Sequence, residues 1–217
     1  MASNKGNRKS VLKRDASGKF YFPIGIDMVE GENYRQSEAY EVSYLAEDDI
    51  PHYQYMVVVS IEKVAGMFEK LTEFLPDWVS VIVEVPAPGE HGLSMADVWI
   101  SSPVPKSKML EIFDRHVHLF CHDGMVGFGT MAPEEGGEEI FLDDHKIIYC
   151  SAHELGTIEP ILEKENLKAA RKLRHFSDLS HVHYNLYRKG QGEDYLAVLE
   201  NLRKEIGLEW QDSKDYS

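Results

Sequence analysis

Four valines at every second position, Val79, Val81, Val83 and Val85, alternate with Ser80, Ile82 and Glu84. Side chains along a strand point to opposite faces in turn, so this spacing specifies a strand with one buried valine face. Upstream, Tyr55-Met56-Val57-Val58-Val59 is a β-branched run of the kind found in buried central strands. Between the two, Ile61, Val64, Phe68, Leu71 and Leu75 recur at three- and four-residue steps, the period of one helix face. Ser60 is placed to cap that helix and Pro76-Asp77 to end it. The whole is a β-α-β segment of about 30 residues.

Further along, a Pro- and Gly-rich loop over 86–92 leads to a short strand over 97–101. Pro103 and Pro105 bound a turn, and 102–106 is the candidate sub-boundary within the chain. Ser107–Asp114 reads as a short helix, with Met109, Leu110, Ile112 and Phe113 supplying its apolar side. His116 to Gly129 reads as a β-hairpin, because Asp123-Gly124 sits between two alternating apolar runs. A second strand pair, Glu139–Leu142 and Lys146–Cys150, turns about Asp143-Asp144-His145. Two consecutive tight hairpins favour an antiparallel meander over a parallel sheet. A helix from Thr157 with Pro160 in its first turn follows, then a strand over His181–Arg188 and a helix over Glu193–Ile206. The expected fold is one α+β domain over 20–210. A largely antiparallel sheet, with the β-α-β segment included, is covered by three to four helices. Residues 1–19 are expected to form a disordered basic tail, and 211–217 to fray.

Charge narrows the partners. The chain carries −14 over 217 residues. Residues 1–19 hold six basic side chains against Asp15, a local +5 that leaves −19 on the remainder. So acidic a body repels nucleic-acid phosphate and anionic membrane, leaving only the basic tail as a nucleic-acid contact. A basic protein partner suits it better. No run approaches 18 consecutive apolar residues, so no membrane span is expected, and no apolar leader follows the first basic residues. Cys121 and Cys150 lack C-x-x-C spacing, which points to reduced thiols and a cytoplasmic setting.

The chemistry-bearing residues are histidines. On a strand, His116, His118 and His122 share one face, and His181-Val182-His183 places two more imidazoles together. Zinc takes three or four N, S or O ligands at about 2 Å, so these five histidines form a candidate metal set, with Asp123 or Asp178 as a carboxylate. The competing reading leaves them scattered on a wet sheet face. His145 beside Asp143 and Asp144, or His122 beside Asp123, has the composition of a proton-transfer pair. Turn chemistry is the simpler account of those aspartates. Gly124, Gly127 and Gly129 give G-x-x-G-x-G within a hairpin, the wrong context for a dinucleotide site. There is no G-x-S-x-G elbow or phosphate-cradling loop, and His153-Glu154 lacks the second histidine of a zinc-protease helix.

Glu134, Glu135, Glu138 and Glu139 surround a Gly pair, and Asp143 and Asp144 follow closely. These six form the candidate partner-binding surface. By elimination, the expected function is a non-catalytic cytoplasmic interaction module, immunity- or adaptor-like, that holds a basic partner and needs no cofactor. The alternative is a metal-dependent enzyme, a zinc hydrolase in its simplest form, built on the two His-x-His pairs. A small-molecule pocket lined by Tyr55, Trp99, Phe120 and Tyr184 is a third expectation.

Overall fold

The computed structural model describes residues 12–29, 34–47, 50–86, 96–134 and 137–211. Among the described residues, eleven strands and five α-helices run in the order β1 (Ile26–Met28), β2 (Ala39–Glu47), β3 (Ile50–Val58), α1 (Ile61–Leu71), β4 (Trp78–Pro86), β5 (Ala96–Ser101), β6 (Val104–Pro105), α2 (Lys106–Arg115), α3 (Val117–His122), β7 (Gly127–Met131), β8 (Glu139–Leu142), β9 (Ile148–Ala152), α4 (Glu159–Lys164), β10 (His181–His183), α5 (Tyr195–Ile206) and β11 (Leu208–Gln211). The large sheet has the spatial order β11-β5-β4-β7-β8-β9-β3-β2, with β6 beside β4, and every pairing in it is antiparallel. The α+β class with a largely antiparallel sheet is thus the fold of this chain.

Four successive antiparallel pairings separate β3 from β4, so these two strands run parallel. Helix α1 crosses between them, and the β7-β8-β9 meander fills the gap. Strand parity then makes two cores. Tyr55 and Val57 of β3, the four valines of β4, and Ile148 and Cys150 of β9 face one layer. That layer receives Phe68 and Leu71 from α1, Phe113 from α2 and Leu202 from α5. This larger core spans both sides of 102–106.

The opposite face at the β3–β9 end carries a smaller core. Val58 and Ile147 meet Phe20, Phe22 and Ile26 of the N-terminal arm and Phe176 of a 3-10 turn over Phe176–Asp178. The arm is held by polar bonds as well. Buried Asp15 accepts backbone N–H groups from Lys19, Phe20 and Gln36. Residues 12–19 therefore belong to the folded body, whereas the tail expectation covered 1–19. The local net charge missed a carboxylate that satisfies three amides at once. Residues 1–11 and 212–217 of the expected tail and frayed end lie outside the described residues.

The hairpin expected over His116–Gly129 is not formed. Residues 117–122 are the helix α3, joined to α2 at His116. Leu119, Phe120 and Cys121 are all buried. All three pack into the larger core, as a short helix lying against α1 and α2 allows. A six-residue segment reads equally well at either period, and packing decided it. The strand expected over 181–188 likewise ends at His183. No helix among the described residues is long and apolar enough to cross a membrane.

Candidate metal centre

Two short elements deliver three histidines to one point. The first is the β8–β9 turn. Asp143 N–H bonds Ile147 O at 3.0 Å, Lys146 N–H bonds Asp143 O at 3.1 Å, and Asp143 Oδ1 accepts Ile147 N–H at 2.7 Å. Lys146 adopts a left-handed backbone, φ 65°. An L-residue takes that conformation only where surroundings impose it. Here its fully buried side chain reaches through the fold to Val126 O at 2.6 Å. The turn so locked presents His145.

The second element is β10, paired with β1 in a two-stranded sheet, Ile26 opposite His183 and Met28 opposite His181. Alternation puts His181 and His183 on one face and leaves Val182 outward. The turn over Phe176–Asp178 sets the entry to β10, because His175 Nδ1 accepts Ser177 N–H and Asp178 Oδ2 accepts His175 N–H.

The Nε2 atoms converge. His145 to His181 is 3.0 Å, His181 to His183 is 2.9 Å, and His183 to His145 is 3.2 Å. A tetrahedral zinc ion with bonds of about 2.0–2.1 Å holds its nitrogen ligands about 3.3 Å apart, so the triangle is close to that spacing. Each Nδ1 faces an acceptor. His181 Nδ1 lies 2.6 Å from Leu179 O, and His183 Nδ1 meets Gly124 O. His145 Nδ1 is 2.7 Å from Asp144 Oδ1 and 3.3 Å from Asp143 Oδ2. Asp144 Oδ2 also lies 3.3 Å from His183 Nδ1. Backbone and carboxylate acceptors thus stand behind each Nδ1 while the three Nε2 atoms face inward, the arrangement that outer partners of metal-ligating imidazoles make.

Three facing ring nitrogens attract a cation, the simplest being a proton on His145 Nε2. Burial opposes charging of His145, yet its hydrogen bonds to Asp143 and Asp144 outweigh that and lift its pKa to about 9. Burial pushes His183 the other way. Asp143 is raised by burial, while the His145 hydrogen bond outweighs burial at Asp144 and holds it low. The histidine side chains at 145 and 183 are 23% and 20% exposed, so the rings are not sealed from solvent.

Of the five histidines expected as ligands, the structure brings His181 and His183 together. The other three lie on and beside α3. His116 pairs with Glu193 at 3.0 Å, and His118 stands one helical turn from His122, ring centroids 5.1 Å apart. Burial drives His122 down to about 4. Because residues 117–122 form a helix, His118 and His122 share a helix face while His116, at its N-cap, turns to Glu193, and the three do not converge as expected. His145 takes the third place in the triangle. Its signal in the sequence was the Asp-Asp-His turn, whose aspartates do serve the turn and also orient the ring. Asp143 and Asp144 of the expected partner surface are engaged in this way. Glu134 is exposed, Glu138 and Glu139 are half-buried, and Glu135 lies outside the described residues.

The remaining candidates are structural in placement. Tyr55 and Phe120 are fully buried in the main core, Trp99 lies under the Arg203 guanidinium, and Tyr184 is half-buried under Lys189 Nζ. Cys121 and Cys150 are buried free thiols, and burial raises Cys121 to about 12. Gly127 and Gly129 lie in β7 beneath Phe141, where an added Cβ would sit 2.6 Å from the ring. Comparison with protein-family models, with curated proteins and with solved structures finds no match, so the chemistry rests on the geometry of the site.

Proposed function

We propose that this protein binds one divalent transition-metal ion, zinc in the first instance, through His145, His181 and His183, and acts as a metal-dependent hydrolase. The observation that carries the reading is the Nε2 triangle with an acceptor behind every Nδ1. One proton can bridge two of these nitrogens, whereas a metal ion serves all three. Three neutral imidazoles suit zinc and its neighbours in the transition series. Structural zinc sites are closed by four protein ligands, while catalytic sites use three and keep a position for water. The partly exposed triangle matches the second pattern. A zinc ion held there would lower the pKa of a bound water toward about 7 and so supply a nucleophile at neutral pH.

The test is metal analysis of protein purified without chelator or affinity metal. One equivalent of metal per chain is expected. His145→Ala, His181→Ala and His183→Ala should each lose it, while His118→Ala keeps it. Hydrolysis of an activated aryl ester should follow metal content and vanish with a chelator. Wild-type protein that neither retains nor takes up zinc, cobalt, nickel or manganese would overturn the reading.

A further inference from the structure

Val81 and Val83 of β4 face the larger core, so alternation puts Ile82 and Glu84 on the other face of the sheet. Register carries that face across three more strands. Ile82 pairs with Gly129 of β7, Gly129 with Phe141 of β8, and Phe141 with Tyr149 of β9, while Glu84 pairs with Gly127. The two glycines leave a trough in β7, and the Phe141 ring lies in it. A Cβ on Gly127 would sit 2.6 Å from Phe141 Cζ, and one on Gly129 the same distance from Cδ2. The Gly127 position is also 3.3 Å from Glu84 Oε2, which places that carboxylate by the tip of the ring. Phe141 is half-buried and belongs to neither core. Rigid backbone beneath it, rather than other side chains, holds it in place.

Two carboxylates flank this ring. Glu84 is one, and Glu139, two residues before Phe141 on the same strand face, is the other; both are half-buried. Among the described residues no Lys, Arg or His forms an ion pair with either. Burial raises both carboxyls, and Asp144 and Asp143 raise Glu84 further. We propose that this part of the sheet docks an arginine of a basic protein segment, its guanidinium lying against Phe141 and pairing with Glu84. Charge complementarity selects the occupant, since the body carries −19 outside residues 1–19. Shape selects arginine over lysine. A planar guanidinium stacks on an aromatic ring and offers a fork to a carboxylate, whereas an ammonium is a compact, strongly hydrated point charge. The site requires no metal, so it stands or falls apart from the histidine triangle.

The probe is a blocked peptide of alternating glycine and arginine, titrated into protein with carbon-13-labelled phenylalanine and glutamate and followed by NMR. The Phe141 ring and Glu84 carboxyl signals should move together, more tightly at low salt, and the same peptide with citrulline for arginine should leave them unmoved. Phe141→Leu, which keeps apolar bulk over the glycines, and Glu84→Gln should each raise the dissociation constant at least threefold. Unmoved signals, equal response to citrulline, or unchanged affinity in both variants overturns the proposal. Tetramethylammonium ion acting at the same concentration as the peptide also overturns it, in favour of a small-cation site. So does movement of both signals when residues 1–11 are removed without peptide, because the chain's own basic segment is then the occupant. Should Phe141→Leu not fold, nuclear Overhauser contacts between arginine side chain and Phe141 ring in wild type decide: their presence supports the docking and their absence overturns it.

Discussion

Gly25 and Gly124 meet backbone to backbone: a Cβ on either would fall within 3.0 Å of main-chain atoms of the other. Gly25 N–H bonds His122 O at 2.8 Å, Tyr184 N–H bonds Gly25 O at 2.7 Å, and Gly124 N–H bonds Tyr184 O at 3.2 Å. These bonds clamp the arm before β1, the end of α3 and the end of β10 into one unit. Gly124 then offers its carbonyl to His183 Nδ1. Beside it Asp123, fully buried, accepts Met125 N–H and Leu186 N–H at 3.0 and 2.7 Å. The clamp therefore positions His183 and places an acceptor against its Nδ1.

Gly124→Ala should push this joint apart. Steric insertion at such a contact costs on the order of 1–3 kcal/mol, and disturbing an outer partner of a metal ligand costs about 10–100-fold in affinity. Thermal unfolding and zinc titration of the variant check both effects. Unchanged zinc affinity would show that the Gly124 carbonyl does not govern His183.

Asp144→Asn tests the carboxylate behind His145 without touching a ligand atom. Zinc affinity should fall about 10–100-fold while the far-ultraviolet spectrum is preserved. Competition with a chromophoric chelator measures it. Asp143→Asn should also destabilise the turn, because Asp143 Oδ1 holds Ile147 N–H.

Gly129→Ala probes the large sheet apart from the histidine triangle. The added methyl meets the Phe141 ring and Ile140 O across the β7–β8 pair. A loss of about 1–3 kcal/mol is expected in urea unfolding, and because Ile140 O is main chain, Phe141→Ala should return only part of it. Unchanged stability of Gly129→Ala would refute the clash.

Acid stability depends in part on Glu205. Hydrogen bonds from Arg115 and Lys108 depress its pKa to about 2. A carboxyl lowered in the folded state stabilises fully above its unfolded value, about 4.3, and that contribution disappears as pH falls toward 2. Solvent screening of this partly exposed network leaves about 1 kcal/mol. Glu205→Gln should therefore lose about that much at pH 7, and the gap from wild type should close between pH 5 and 2. A pH-independent gap would mean the loss came from packing.

Much of the sheet was legible because period-two patterns are local. The valines of β4, the run in β3 and the β8–β9 turn each carry their own strand signal, and α1 and α5 carry a helix period. The α3 region was illegible for the opposite reason. Six residues cannot distinguish the two periods, and only the fit of Leu119, Phe120 and Cys121 against neighbouring helices selected one. The candidate site divides in the same way. His-x-His on a strand places two rings side by side whatever the rest of the chain does, so His181 and His183 were found.

His145 lies 36 residues from His181, and nothing in the spacing between them specifies contact. What joins them is the pairing of β10 with β1, the Gly25–Gly124 joint and the left-handed Lys146 that locks the turn. The amino-acid sequence by itself determined an acidic α+β chain built on an antiparallel meander, with a crossover helix and two coupled imidazoles, because each of these is a short-range pattern of side chains. Which third ring completes the triangle, and that the Asp-Asp turn orients it, was decided by tertiary structure, because convergence of lone pairs on a point depends on long-range packing that no local periodicity encodes.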